Sequence, residues 1–81
     1  MDELSEELAP LVLASWKAVL GHEEFGLESD FFAIGGNSFL VAQVMASLSK
    51  QIGARLPLRL FFSNPTVRGI ERAIAAHQGR P

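Results

Sequence analysis

Residues 35–53 read Gly-Gly-Asn-Ser-Phe-Leu-Val-Ala-Gln-Val-Met-Ala-Ser-Leu-Ser-Lys-Gln-Ile-Gly, from Gly35 to Gly53. Val41, Val44, Met45, Leu48 and Ile52 recur at three- and four-residue spacings, which predicts an amphipathic helix from Ser38 to Ile52. At about 100° per residue, the other four all fall within about 60° of Val41. Gly53 is the stop signal, and Lys50 sits favourably near the negative end of the helix dipole. Phe39 breaks the pattern, because it lies about 160° from Val41. It is predicted to face solvent, on a side otherwise made of Ala42, Gln43, Ala46 and Lys50. A large apolar side chain beside small alanines outside the core makes Phe39, Ala42 and Ala46 a candidate partner surface.

Working outward, Leu8, Leu11, Val12, Trp16, Val19 and Leu20 show the same periodicity, and Gly21 follows them. Pro10 is best tolerated in a first helical turn, so the regular helix is expected to begin near Ala9, with residues 2–8 as a turn or frayed lead-in. Residues 21–37 form a long connection in which Ser29 and Asp30 can cap a short turn, placing Phe31, Phe32 and Ile34 against the core. A connection of this length in so small a chain tends to be functional. Downstream, Pro57 opens a short turn holding Leu58, Leu60, Phe61 and Phe62. Asn64 is unsuited to a helix because Pro65 follows. Thr66 then caps a last helix with Val67, Ile70 and Ile74 on one face, weakened by Gly69 by up to about 1 kcal/mol relative to alanine. No strand-like alternation is present. The expected fold is all-α: three main helices plus a short helix third in order, packed as a four-helix bundle, with Trp16, Phe31, Phe32, Phe61 and Phe62 in its core.

The 81 residues are expected to make one domain, 1–81, since a core of this size cannot be divided further. Such a chain buries only about 60% of its unfolded surface and reaches a stability of roughly 4–12 kcal/mol, so a surface site is more plausible than a deep cavity. There is no cysteine, which excludes disulfides and thiolate metal sites. His22 and His77 stand apart, and no paired metal ligands or metalloprotease pattern is present, so no metal is expected. No apolar run reaches the ~20 residues needed to span a bilayer, which sets a cytoplasmic expectation with no membrane contact. The net charge of −2 is unevenly divided. Residues 1–36 carry eight acids against Lys17, and residues 37–81 carry six cations against Glu71. The cations are spread out without interleaved aromatics, which reads as solvated helix faces and not as a nucleic-acid surface.

The chemistry is carried by Gly35-Gly36-Asn37-Ser38. The first amides of a helix lack internal partners, and the dipole there favours negative charge. A serine at this position can carry a phosphate ester with the phosphate near those amides. Gly35 and Gly36 leave the hydroxyl open to an approaching enzyme. By itself, Gly-Gly-Asn-Ser is also compatible with a plain turn and helix cap.

Asp30-Phe31-Phe32 through Gly35-Gly36-Asn37-Ser38 resembles the thiolation motif of peptidyl carrier domains of nonribosomal peptide synthetases, within the acyl carrier superfamily. The resemblance extends over most of the chain. Trp16 to Gly21 looks like the end of the family's first helix, Leu56-Pro57-Leu58 through Phe61 like its third, and Asn64-Pro65-Thr66-Val67 like the start of its fourth. The resemblance implies a bundle of acyl-carrier type in which Ser38 holds covalent 4'-phosphopantetheine, transferred from coenzyme A by a phosphopantetheinyl transferase. The thiol of that arm would hold an amino acid or peptide as a thioester, for delivery in antibiotic biosynthesis. Implied partners are adenylation, condensation and thioesterase domains or tailoring enzymes, with the carrier itself a monomer without catalytic residues. Position 37 is Asn, where fatty-acid and polyketide carriers usually have Asp. The second helix also lacks the acids that fatty-acid carriers typically display there. Phe39 departs from the commoner Leu or Ile. An acyl carrier of polyketide or fatty-acid type and a plain helical interaction module are the alternatives. A serine hydrolase is disfavoured, because Leu40 stands where the nucleophile elbow needs a second glycine.

Overall fold

Four helices are built from the apolar stripes: α1 (Glu3–Leu20), α2 (Ser38–Ile52), α3 (Arg59–Ser63) and α4 (Val67–Gln78). The structure is a computed structural model and describes residues 3–78. No strand occurs among the described residues. α1 lies against both α4 and α2, and α3 packs on α4. The all-α expectation holds, as does the placement of a short third helix.

α2 has the bounds its periodicity predicts, and Val41, Val44, Met45 and Leu48 are all buried. Gly53 ends it in the left-handed region at φ 79°, which a side chain would resist. On α4, Val67, Ile70 and Ile74 are fully buried. Thr66 caps this helix as expected, its Oγ1 accepting from the Gly69 N–H at 2.9 Å. Gly69 is more than a weak spot. A Cβ there would come within 2.9 Å of both Asn64 Cβ and Thr66 Oγ1, so the cap itself demands glycine.

Trp16 centres the core. Phe31 meets it edge-on at 4.8 Å, Phe61 stacks at 6.0 Å and Phe25 tilts against it at 5.5 Å. Phe31 and Phe61 also meet edge-on at 4.8 Å. This aromatic cluster joins α1 to the connection 21–37 and to α3, so the loop that leads into α2 is anchored by the core itself.

Two expectations are corrected. First, α1 starts at Glu3 and carries Pro10 in its interior. Leu8 continues the stripe of Val12 and Trp16 and is buried, and Pro10 faces solvent. Burying Leu8 stabilises by about 2 kcal/mol, which offsets much of the roughly 3 kcal/mol that an interior proline costs. Second, Phe32 and Phe62 lie outside the core, 39% and 47% exposed. They stack on each other at 6.1 Å with an interplanar angle of 17°. Each follows a fully buried phenylalanine, and adjacent residues in a turn or helix cannot both point inward.

Candidate functional site

The connection 21–37 is pinned along its length. Gly21 N–H bonds to Lys17 O at 2.9 Å, closing α1. The His22 ring spans to Ile34 O at 3.0 Å and receives the Glu24 N–H at 3.0 Å. Ser29 Oγ accepts from Gly26 N–H at 2.9 Å. Two bonds then fasten the loop to the α4 end of the bundle: Arg68 N–H to Leu27 O at 3.1 Å and Phe31 N–H to Pro65 O at 2.8 Å. The exposed Arg68–Glu28 ion pair at 2.8 Å joins the acidic first half to the basic second half, a contact worth about 0–1 kcal/mol at such exposure.

Asp30 caps the turn that follows. Its Oδ1 accepts from Phe32 N–H at 2.8 Å and from Ala33 N–H at 3.3 Å. Phe31 is thereby directed into the core, and Ile34 packs half-buried beside it. The chain then reverses through two glycines. Gly35 sits at φ 113°, where an L side chain is strained. Gly36 N–H bonds to Phe31 O at 2.9 Å, and a Cβ at Gly36 would collide with the Phe31 ring and carbonyl. Gly36 is thus required by packing against Phe31, a tighter reason than open access to the serine.

Asn37 takes extended backbone, and its Oδ1 accepts from Leu40 N–H at 3.0 Å. Its carbonyl accepts from Val41 N–H at 2.9 Å. Ser38 is therefore the first residue of α2, exposed, and its amide precedes the capped one. The first turn contains no acid. An anionic phosphodiester on Ser38 would meet uncapped amides and the positive end of the dipole, with no nearby carboxylate in that turn to repel it. The residues present fit such a group.

The structure brings Gly35, Gly36, Asn37 and Ser38 together as one continuous turn and leaves Phe39, Ala42 and Ala46 exposed on the outward side of α2. Phe39 is 69% exposed, as the helix angles require. Reading the sequence missed His22 as a loop tether. A lone histidine carries no signal of a carbonyl twelve residues away. The stacked Phe32–Phe62 pair was missed too, although the adjacency of Phe31 to Phe32 and of Phe61 to Phe62 held the clue.

The sequence matches the family described as "Phosphopantetheine attachment site" over residues 10–74. The chain belongs to this family, as a peptidyl carrier (thiolation) domain. The carrier domain is 36% identical over 69 residues to surfactin synthase subunit 3 of Bacillus subtilis, matching 85% of this chain and 5% of that protein. It is 32% identical over 78 residues to the phosphinothricin tripeptide synthetase PhsC of Streptomyces viridochromogenes, matching 96% and 7%. The chain thus corresponds to a small part of each synthetase. Its fold is shared with BlmI, a type-II acyl-carrier-protein from Streptomyces verticillus involved in bleomycin biosynthesis. There the TM-score is 0.85 at 27% identity, over 91% of this chain and 89% of the other. A chain in the complex of the phosphopantetheine transferase Sfp with coenzyme A and a peptidyl carrier protein matches at TM-score 0.78 and 28% identity, over 85% and 90%. The cofactor of the carrier domain is covalent 4'-phosphopantetheine derived from coenzyme A.

Proposed function

We propose that Ser38 is the residue that carries the phosphopantetheine arm and that the domain delivers an amino acid or peptide to successive enzymes of nonribosomal peptide assembly. The observation behind this reading is an exposed serine at the first position of α2, presented by a glycine turn that the core holds in place. Bound there, the arm supplies a thiol that can hold an acyl group as a thioester, in a chain with no cysteine of its own. In transfer from coenzyme A, Ser38 Oγ would lose its proton and form the ester bond to the pantetheine-side phosphorus as the pyrophosphate P–O bond breaks and the adenosine bisphosphate half of coenzyme A leaves. The Asn37 cap fixes the first turn, leaving the amides ahead of Leu40 to face the phosphate. Gly35 and Gly36 set the direction in which the hydroxyl projects. No residue of the chain is assigned a catalytic role; tethering raises the effective concentration of the cargo at each partner.

In this reading the chain acts as one monomeric domain in the cytoplasm. Its partners are a phosphopantetheinyl transferase and adenylation, condensation, thioesterase or tailoring enzymes, which dock on Phe39, Ala42 and Ala46. No helix among the described residues is long and apolar enough to cross a membrane.

Incubation with coenzyme A, magnesium and a broad-specificity transferase is expected to add a single phosphopantetheine mass, and Ser38→Ala to add none. Labelling of Ser38→Ala at the parental rate would refute the assignment.

A further inference from the structure

His22 sits at the start of the 21–37 connection, yet its ring reaches the other end. Nδ1 accepts from the Glu24 N–H at 3.0 Å, and Nε2 lies 3.0 Å from Ile34 O. An amide N–H only donates and a carbonyl only accepts. The two partners therefore assign the tautomer: the lone pair is on Nδ1 and the proton on Nε2. The ring is half-buried, with Phe25 edge-on at 6.0 Å. Ile34, which receives its proton, directly precedes Gly35-Gly36-Asn37-Ser38. Phe31 is held by Pro65 O, and Gly36 by Phe31 O. The His22 bond holds Ile34 between them, next to Gly35, whose φ of 113° makes it the natural pivot of the turn.

We infer that His22, as the neutral Nε2–H tautomer, is a positioning residue for Ser38: by donating to Ile34 O it staples the two ends of the loop. This rests on the reading of Ser38 as the modified residue. The charged groups on the surrounding elements already have partners or are open to solvent. Lys17 of α1 pairs with Glu23 at 3.3 Å, and Glu28 pairs with Arg68 of α4. Asp30 accepts from the Phe32 and Ala33 amides, and Glu24 is exposed.

Three measurements test this on the intact apo chain. Long-range proton–nitrogen spectra of the neutral ring are expected to show the proton on Nε2; a proton on Nδ1 instead overturns the proposal without any variant. Exchange of the Glu24 amide, corrected for its intrinsic rate, is expected to be about three- to tenfold faster in His22→Ala than in the parent, as the loss of one hydrogen bond implies. Transferase labelling of the parent is expected to exceed that of His22→Ala by about three- to tenfold, and His22→Gln, which keeps an N–H donor for Ile34 O, is expected to recover most of the loss. His77→Gln is expected to behave as the parent. Labelling of His22→Ala at the parental rate, or no recovery in a folded His22→Gln, overturns the proposal. Failure of the Ser38 reading looks different: label persists in Ser38→Ala, while tautomer and exchange are unaffected.

Discussion

Gly35 and Gly36 are adjacent and meet different demands, which substitution separates. Gly35 is held at φ 113° with open space around it. Gly35→Ala is therefore expected to cost about 1–2 kcal/mol, as backbone strain. Gly36 has an ordinary φ, but its Cα faces the Phe31 ring and carbonyl. Gly36→Ala must displace the Phe31 ring that packs on Trp16 and is expected to cost about 1–3 kcal/mol while disturbing the core aromatics. Urea unfolding gives both costs, and near-ultraviolet circular dichroism of Trp16 separates them, changing for Gly36→Ala and not for Gly35→Ala. Trp16 offers a third residue-scale case. Its Nε1–H is buried with no acceptor among the described residues, so among them the indole contributes packing and no hydrogen bond. Trp16→Phe is expected to lose at most about 2 kcal/mol, against about 3–5 kcal/mol for Trp16→Ala.

At the scale of elements, α1 and α4 each contain a residue that helix propensity disfavours, and the two respond oppositely to alanine. Pro10 is exposed inside α1, and nothing about its packing calls for a pyrrolidine. Pro10→Ala restores a helical N–H and is expected to stabilise by about 1–3 kcal/mol. Gly69 is also helical, yet a Cβ there would meet Asn64 and Thr66. Gly69→Ala is expected to destabilise by about 1–3 kcal/mol, overriding the roughly 1 kcal/mol that propensity alone would return. Thermal melts of the two variants should move in opposite directions. The same contrast explains what could be read in advance. α2 was legible to the residue because its stripe, its Asn37 cap and its Gly53 stop all agree. Phe39 followed from its angle alone. The start of α1 was not legible, since a local rule about proline was overridden by the burial of Leu8. Neither was the reason for Gly36 or Gly69, because both depend on neighbours brought close only by the folded chain. The tether from His22 to Ile34 is nonlocal in the same way.

Over the whole molecule, charge and apolar surface are sorted in a way that bears on docking. The first 36 residues hold eight of the nine acids, while α2 contributes only Lys50 to the charge. Its outward face presents Phe39, 69% exposed, with Ala42, Gln43 and Ala46. A partner landing beside Ser38 therefore meets apolar area first. Charge steering weakens as the screening length shortens, from about 14 Å at 50 mM salt to about 6 Å at 300 mM, whereas apolar burial is little affected. If docking rests on Phe39, kcat/KM for transferase labelling of the parent should change less than about twofold across that salt range. Truncating a phenylalanine buried at the interface removes roughly 1.5–3 kcal/mol, so Phe39→Ala should lower kcat/KM by about tenfold or more. An exposed side chain contributes little to folding, and the stability of Phe39→Ala should stay within about 0.5 kcal/mol of the parent. A large salt effect combined with an unimpaired Phe39→Ala would place recognition on charged residues elsewhere and remove Phe39 from the interface.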